Sequence, residues 1–178
     1  MKYHLSTRLK ALVAALFLSG LPAAAIQVRG VTYFEHPPRL LKALTTMNGV
    51  NTWGATYYFT VEIPITAGEP LQRVLIQQTE GFAEISFSSD HITAYAEDDR
   101  QKTRLPLGDV QVNPQDHRLS ITFDPPVAPG KTVVLRLVPD RNPSTPGVYL
   151  FGVTAFPAGE ATHGQFLGYG RLQFYSWR

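Results

Sequence analysis

The chain of 178 residues contains no cysteine. That absence excludes a disulfide framework, a thiol nucleophile, a Cys-ligated zinc, an iron–sulfur cluster and a lipid-modified cysteine. Charge is also sparse, at 17% of residues, and no internal repeat, low-complexity segment or long helical pattern is present. The Gly-x-Ser-x-Gly elbow of serine hydrolases and the His-Glu-x-x-His zinc motif are missing. An apolar fraction of 44% nevertheless excludes disorder, because enough apolar surface exists to offset the entropy of ordering a chain.

The first 25 residues read as a cleavable export signal. Lys2, Arg8 and Lys10 form a positive start, and Ala11 to Leu21 is an apolar stretch shorter than the ~20 residues a membrane helix needs. Pro22 ends it, and Ala23 and Ala25 are small residues at the spacing an export peptidase reads, which predicts a mature domain of residues 26–178. Removing those three bases from the chain's 16 leaves 13 against 14 acids, so the precursor's excess of positive charge belongs to the signal. A net charge near neutrality gives no reason to expect nucleic acid as a partner. No later segment offers a transmembrane anchor after processing: the long apolar run 142–159, for example, is broken by Pro143, Pro146 and Pro157.

Glycine and proline, 14 of each, punctuate short apolar runs, which is the spacing of an all-β sandwich or barrel. Residues 55–64 alternate most clearly, with Tyr57, Phe59, Val61 and Ile63 on one face. Residues 71–79, 82–87, 92–96, 105–112, 119–123, 133–137, 148–156 and 166–177 supply further strands. The charges at 97–104 suit a solvated hairpin tip. Residues 148–156 are apolar on both faces, which predicts a strand at the centre of a sheet and covered on both sides. Pro37 and Pro38 could open a short helix bearing Leu40, Leu41 and Leu44, stopped by Thr45, Thr46 and Gly49. The expected fold is an antiparallel β-sandwich of seven to nine strands, immunoglobulin-like in the broad sense.

Several stretches have a family character: Trp-Gly-Ala-Thr-Tyr-Tyr-Phe at 53–59, Ala-Gly-Glu-Pro-Leu at 67–71, Phe-Asp-Pro-Pro-Val-Ala-Pro-Gly-Lys-Thr-Val at 123–133 and Gly-Val-Tyr-Leu-Phe-Gly-Val-Thr-Ala-Phe-Pro-Ala-Gly at 147–159. Together they resemble the cyanobacterial exported family known as domain of unknown function 2808. The resemblance spans nearly the whole mature chain and implies a periplasmic or envelope protein. It implies no activity, cofactor or catalytic residue.

Candidate sites follow from side-chain chemistry. His36, His91, His117 and His163 are isolated, with no His-x-His pair, so no metal site and no cofactor are expected. Glu97, Asp98 and Asp99 are consecutive acids and do not give the alternating ligands of a calcium loop. The remaining cue is the last strand, where one parity carries Tyr169, Arg171, Gln173, Tyr175 and Trp177, and the other carries Phe166, Leu172 and Phe174 with Gly168 and Gly170. Rings interleaved with Arg and Gln suit sugar stacking or a protein partner. The same rings also suit simple cover for an outer sheet face through cross-strand pairs. The leading reading is a non-catalytic exported domain that binds an envelope protein or has a structural role. A carbohydrate-binding domain comes second and a small envelope enzyme third.

Overall fold

The computed structural model describes residues 26–28, 30–98 and 101–176. The expected signal segment lies outside the described residues. Twelve strands and no helix occur among them: β1 (Ile26–Val28), β2 (Val31–Tyr33), β3 (Arg39–Thr45), β4 (Tyr57–Glu62), β5 (Leu71–Glu80), β6 (Phe87–Asp98), β7 (Gln101–Leu105), β8 (Leu107–Asn113), β9 (Arg118–Val127), β10 (Thr132–Pro139), β11 (Gly147–Pro157) and β12 (Gln165–Phe174). The first large sheet has the order β3-β4-β10-β6-β7 and the second the order β12-β11-β5-β9-β8, while β1 and β2 form a small separate ribbon. Every ladder is antiparallel.

The two sheets pack face to face because each strand alternates. Tyr57, Phe59 and Val61 of β4 are fully buried, opposite Leu137, Leu135 and Val133 of β10 in the same sheet. Across the gap they meet Tyr149, Phe151 and Val153 of β11. The Phe59 and Phe151 rings contact edge to face at 5.7 Å. Burial of this apolar layer from both sheets is the dominant favourable term for such a fold. Pro106 alone separates β7 from β8, so the chain passes from the first sheet to the second at a residue with no N–H to donate to either ladder.

The sandwich therefore holds ten strands, more than the seven to nine expected. One addition is β3, where a short helix was expected. Leu40, Leu41 and Leu44 do have helical spacing, but a bulge between Leu40 and Lys42 lets Leu40 pair with Val61 and Ala43 with Phe59. Both then pack on the core and Leu41 is left exposed; partner contacts override a weak local preference. Residues 82–86, read as a strand, are loop, and β6 starts at Phe87. Of the segment 97–104, the described residues on either side pair antiparallel in β6 and β7, with Glu97 opposite Lys102 and their charged groups 3.7 Å apart.

One end of the sandwich is closed by a buried hydrogen-bond hub. Asn142, 2% exposed, donates from Nδ2 to the Met47 and Gly49 carbonyls and accepts the Tyr57 hydroxyl at 2.8 Å. Burial, reinforced by the neighbouring Tyr149 hydroxyl, pushes the Tyr57 phenol far above its ordinary value. An unfolded tyrosine ionises near pH ~10, so Tyr57 contributes stability that is complete below that value and is lost as pH climbs toward the higher folded pKa. The urea midpoint should fall between pH 9 and pH 11, and Tyr57→Phe should flatten that fall. An equal fall in the variant would sink this assignment.

Candidate functional site

Towards its β12 edge, the outer surface of the second sheet is built by β12, β11 and β5. From Gly168 to Phe174 the expected parity holds: Leu172 and Phe174 are buried, and Tyr169, Arg171 and Gln173 stand on the outer face. Gly170 faces inward where no side chain fits, since a Cβ there would lie 2.5 Å from the Phe59 ring and 2.8 Å from the Ala43 Cβ. This contact brings the edge strands β3 and β12 together across the open side of the sandwich.

Phe166 departs from the expected parity. Register with β11 shifts so that Val153 faces Gly168 but Thr154 faces Phe166, which leaves Leu167 as the extra residue of a bulge. Gly168 takes φ +120°, a conformation that side-chain-bearing residues rarely adopt, and thereby permits the bulge. The shift turns Phe166 onto the outer face beside Tyr169, where their rings meet edge to face at 5.1 Å. They are 49% and 57% exposed. The sequence signal was present in the Gly-Tyr-Gly spacing, because a glycine inside an alternating strand often marks a bulge.

Beneath this pair lies Gly152 of β11, directly across from Tyr169. A Cβ at 152 would just touch Phe166, Tyr169 and Thr79, so the two rings and Thr79 wall a shallow notch with a backbone floor. Gln77 of β5 lies across from Gly152 in the next ladder. Along β12, the Arg171 guanidinium donates to the Gln173 amide oxygen at 3.0 Å. Farther across the same face, Arg73 stacks on Phe156 with its guanidinium carbon 3.6 Å from the ring centre, and desolvation lowers its pKa.

The remaining predicted site residues separate from this cluster. Tyr175, 46% exposed, lies past the last β12 ladder pair; its N–H donates to Asn48 and its carbonyl accepts from Val50 in the β3–β4 loop. Trp177 lies outside the described residues. Strand β11 was expected at the centre of a sheet; it is an interior strand, flanked by the edge strand β12 and by β5, which holds the central place, and it is fully covered on one face only. Tyr149, Phe151, Val153 and Ala155 are buried, whereas Val148, Leu150, Thr154 and Phe156 are half-buried on the outer face. The expectation of cover on both sides is corrected accordingly, because among the described residues no third layer covers the outer face of β11.

No group of three or more His, Cys, Asp or Glu side chains that could hold a metal gathers among the described residues. The histidines are dispersed: His36 contacts the Thr66 carbonyl, His117 lies 3.5 Å from Glu84, and His163 stacks on Tyr33. What the outer face offers chemically is apolar ring surface beside directional amide and guanidinium donors.

A family model described as "Protein of unknown function (DUF2808)" matches residues 31–174. No curated protein matches the chain. Among solved structures, ACE19, the collagen-binding subdomain of the Enterococcus faecalis surface protein ACE, is similar at TM-score 0.48 and 8% identity, covering 78% of this chain and 98% of that one. The collagen-binding domain from a Staphylococcus aureus adhesin gives TM-score 0.38 at 5% identity, over 68% of this chain and 87% of that one. The RrgA Jo.In complex gives 0.47 at 12% identity, over 78% of each chain.

Proposed function

This chain belongs to the DUF2808 family, and on that footing we propose that it is an exported, non-catalytic binding module that holds an envelope component on the outer face of β12. The observation that carries the reading is the Phe166–Tyr169 pair, two large rings held in edge contact and half exposed on a well-braced strand. Rings fixed in this way lose little conformational freedom on binding, which is why aromatic anchors dominate contact energetics. Arg171 and Gln173 add oriented donors along the same row. Export rests on the residue 1–25 pattern, with a mature start at Ile26.

A protein surface is the first partner and a glycan the second. The glycan reading is favoured by the notch over Gly152, where a ring could stack on Tyr169 and reach Gln77 and Thr79. Residues 26–178 immobilised on a resin should capture one dominant component from an envelope extract, or one polysaccharide from a panel. Phe166→Ala and Tyr169→Ala should each weaken that capture by ~2 kcal/mol or more with the melting temperature held. A lowered melting temperature with capture intact would return the rings to a packing role. N-terminal sequencing of envelope protein that starts at Met1 would remove the export step.

A further inference from the structure

The near-neutral charge of residues 26–178 conceals a basic face on the opposite side of the molecule, the outer surface of the first sheet. With Tyr57, Phe59 and Val61 buried, the alternate residues of β4 point outward, and ladder register fixes their neighbours. One row across the sheet runs Lys42, Thr60, Val134, Tyr95 and Arg104. The next runs Leu44, Tyr58, Arg136 and Thr93. A third contains Arg39 beside Glu62 and Glu97 beside Lys102, two ion pairs that cancel along one margin. The other three cations, Lys42, Arg104 and Arg136, have no carboxylate at ion-pair distance among the described residues.

Two tyrosines sit among these cations, each directly across a strand from an arginine: Tyr58 from Arg136, and Tyr95 from Arg104. Both rings are half-buried. The face also carries two hydroxyls that the fold leaves unused. Thr60 is 3% exposed and its Oγ1 has no hydrogen-bond partner, and the buried Thr93 Oγ1 likewise has none.

We infer that this face binds an acidic polysaccharide, with Arg104, Arg136 and Lys42 holding carboxylates and Tyr58 and Tyr95 stacking on the sugar rings. Charge complementarity selects an anion, and the guanidinium fork suits a planar carboxylate in particular. Two tyrosines, each directly across a strand from an arginine, suit a polymer that bears both a charge and a ring on each unit. From Lys42 to Arg104 the row crosses five strands, about 19 Å at the usual strand spacing, which fits a chain of several sugars better than a single small anion. The inference goes beyond the β12 face and uses none of its residues.

The test uses residues 26–178 and polygalacturonate as the acidic polymer. Neutral dextran, polyglutamate and phosphatidylglycerol vesicles serve as the other probes. Polygalacturonate should bind at least ten-fold more tightly than polyglutamate or vesicles at low salt, and dextran should not bind. Arg104→Gln with Arg136→Gln should weaken it ten-fold or more, Tyr95→Ala should weaken it too, and Phe166→Ala with Tyr169→Ala should leave it unchanged. Should the half-buried Arg136 variant melt early, Lys42→Gln with Arg104→Gln carries the same test on exposed residues. Equal binding of polyglutamate or vesicles would overturn the proposal, as would wild-type binding by the arginine variants. Loss of polygalacturonate binding in the Phe166 and Tyr169 variants would overturn it by moving the site to the other sheet.

Discussion

Phe151→Ala should destabilise the protein by about 3–5 kcal/mol, the range for truncating a fully buried ring, from lost transfer energy plus the cavity left behind. Phe151 is 1% exposed and lies where the sheets meet, edge-on to Phe59 at 5.7 Å and to Tyr57 at 6.4 Å. It also lines a small, partly open pocket of about 50 Å³, apolar at Ile76, Ile85, Phe87 and Leu119 and polar at Gln78, Glu84, His117 and Arg118. Truncation would enlarge an existing space, a site where collapse is already incomplete, which favours the upper part of the range. Phe156→Ala is the contrast: that ring is half-buried on the outer face under Arg73, so about 1–2 kcal/mol is expected. Urea melts that gave the two variants equal losses would contradict the assignment of faces on β11.

That contrast shows what the residues disclosed and what they did not. Parity within β4, β9, β10 and β11 was legible because a buried face imposes strict alternation, and it located most of the core. An apolar residue on the outer face is a weaker signal, since an open sheet face tolerates both kinds. Phe156 therefore read like Phe151. The two bulges were harder to read for a different reason: one extra residue reverses the face of every side chain beyond it, so Leu41 read as part of a helical stripe and Phe166 was given the same parity as Leu172 and Phe174, although Gly168 marked the place. The contact pair Phe166–Tyr169 depends on that reversal. Tyr169, Arg171 and Gln173 needed no such knowledge and appear together as expected. The basic face was hidden more deeply. Lys42, Arg104 and Arg136 come from three separate strands, and only ladder register sets them in neighbouring rows; net charge averages them against acids elsewhere.

Asn142→Ala should cost about 3–5 kcal/mol, although it removes a small polar side chain from a loop. The side chain makes three buried hydrogen bonds, to the Met47 carbonyl at 3.0 Å, the Gly49 carbonyl at 2.8 Å and the Tyr57 hydroxyl at 2.8 Å. Alanine leaves a hydroxyl and two carbonyls without that partner, at about 1–3 kcal/mol for each group that stays buried and unsatisfied. The backbone bond from Asn142 N–H to the Thr52 carbonyl survives the change, which holds the loss below a simple sum. Asn142→Asp is a sharper probe, because it keeps an acceptor for Tyr57 while placing a carboxylate against two carbonyl oxygens, and it should be at least as destabilising. A double-mutant cycle with Tyr57→Phe isolates the shared bond: the alanine change should cost at least ~1 kcal/mol less in the phenylalanine background. The loop from Met47 to Trp53 is anchored to this hub and to Tyr175, so hydrogen exchange should quicken at Val50 and Tyr175 before it quickens in β4. Exchange that rose uniformly through the core, or an alanine cost below ~1 kcal/mol, would show that the hub does not close this end of the sandwich.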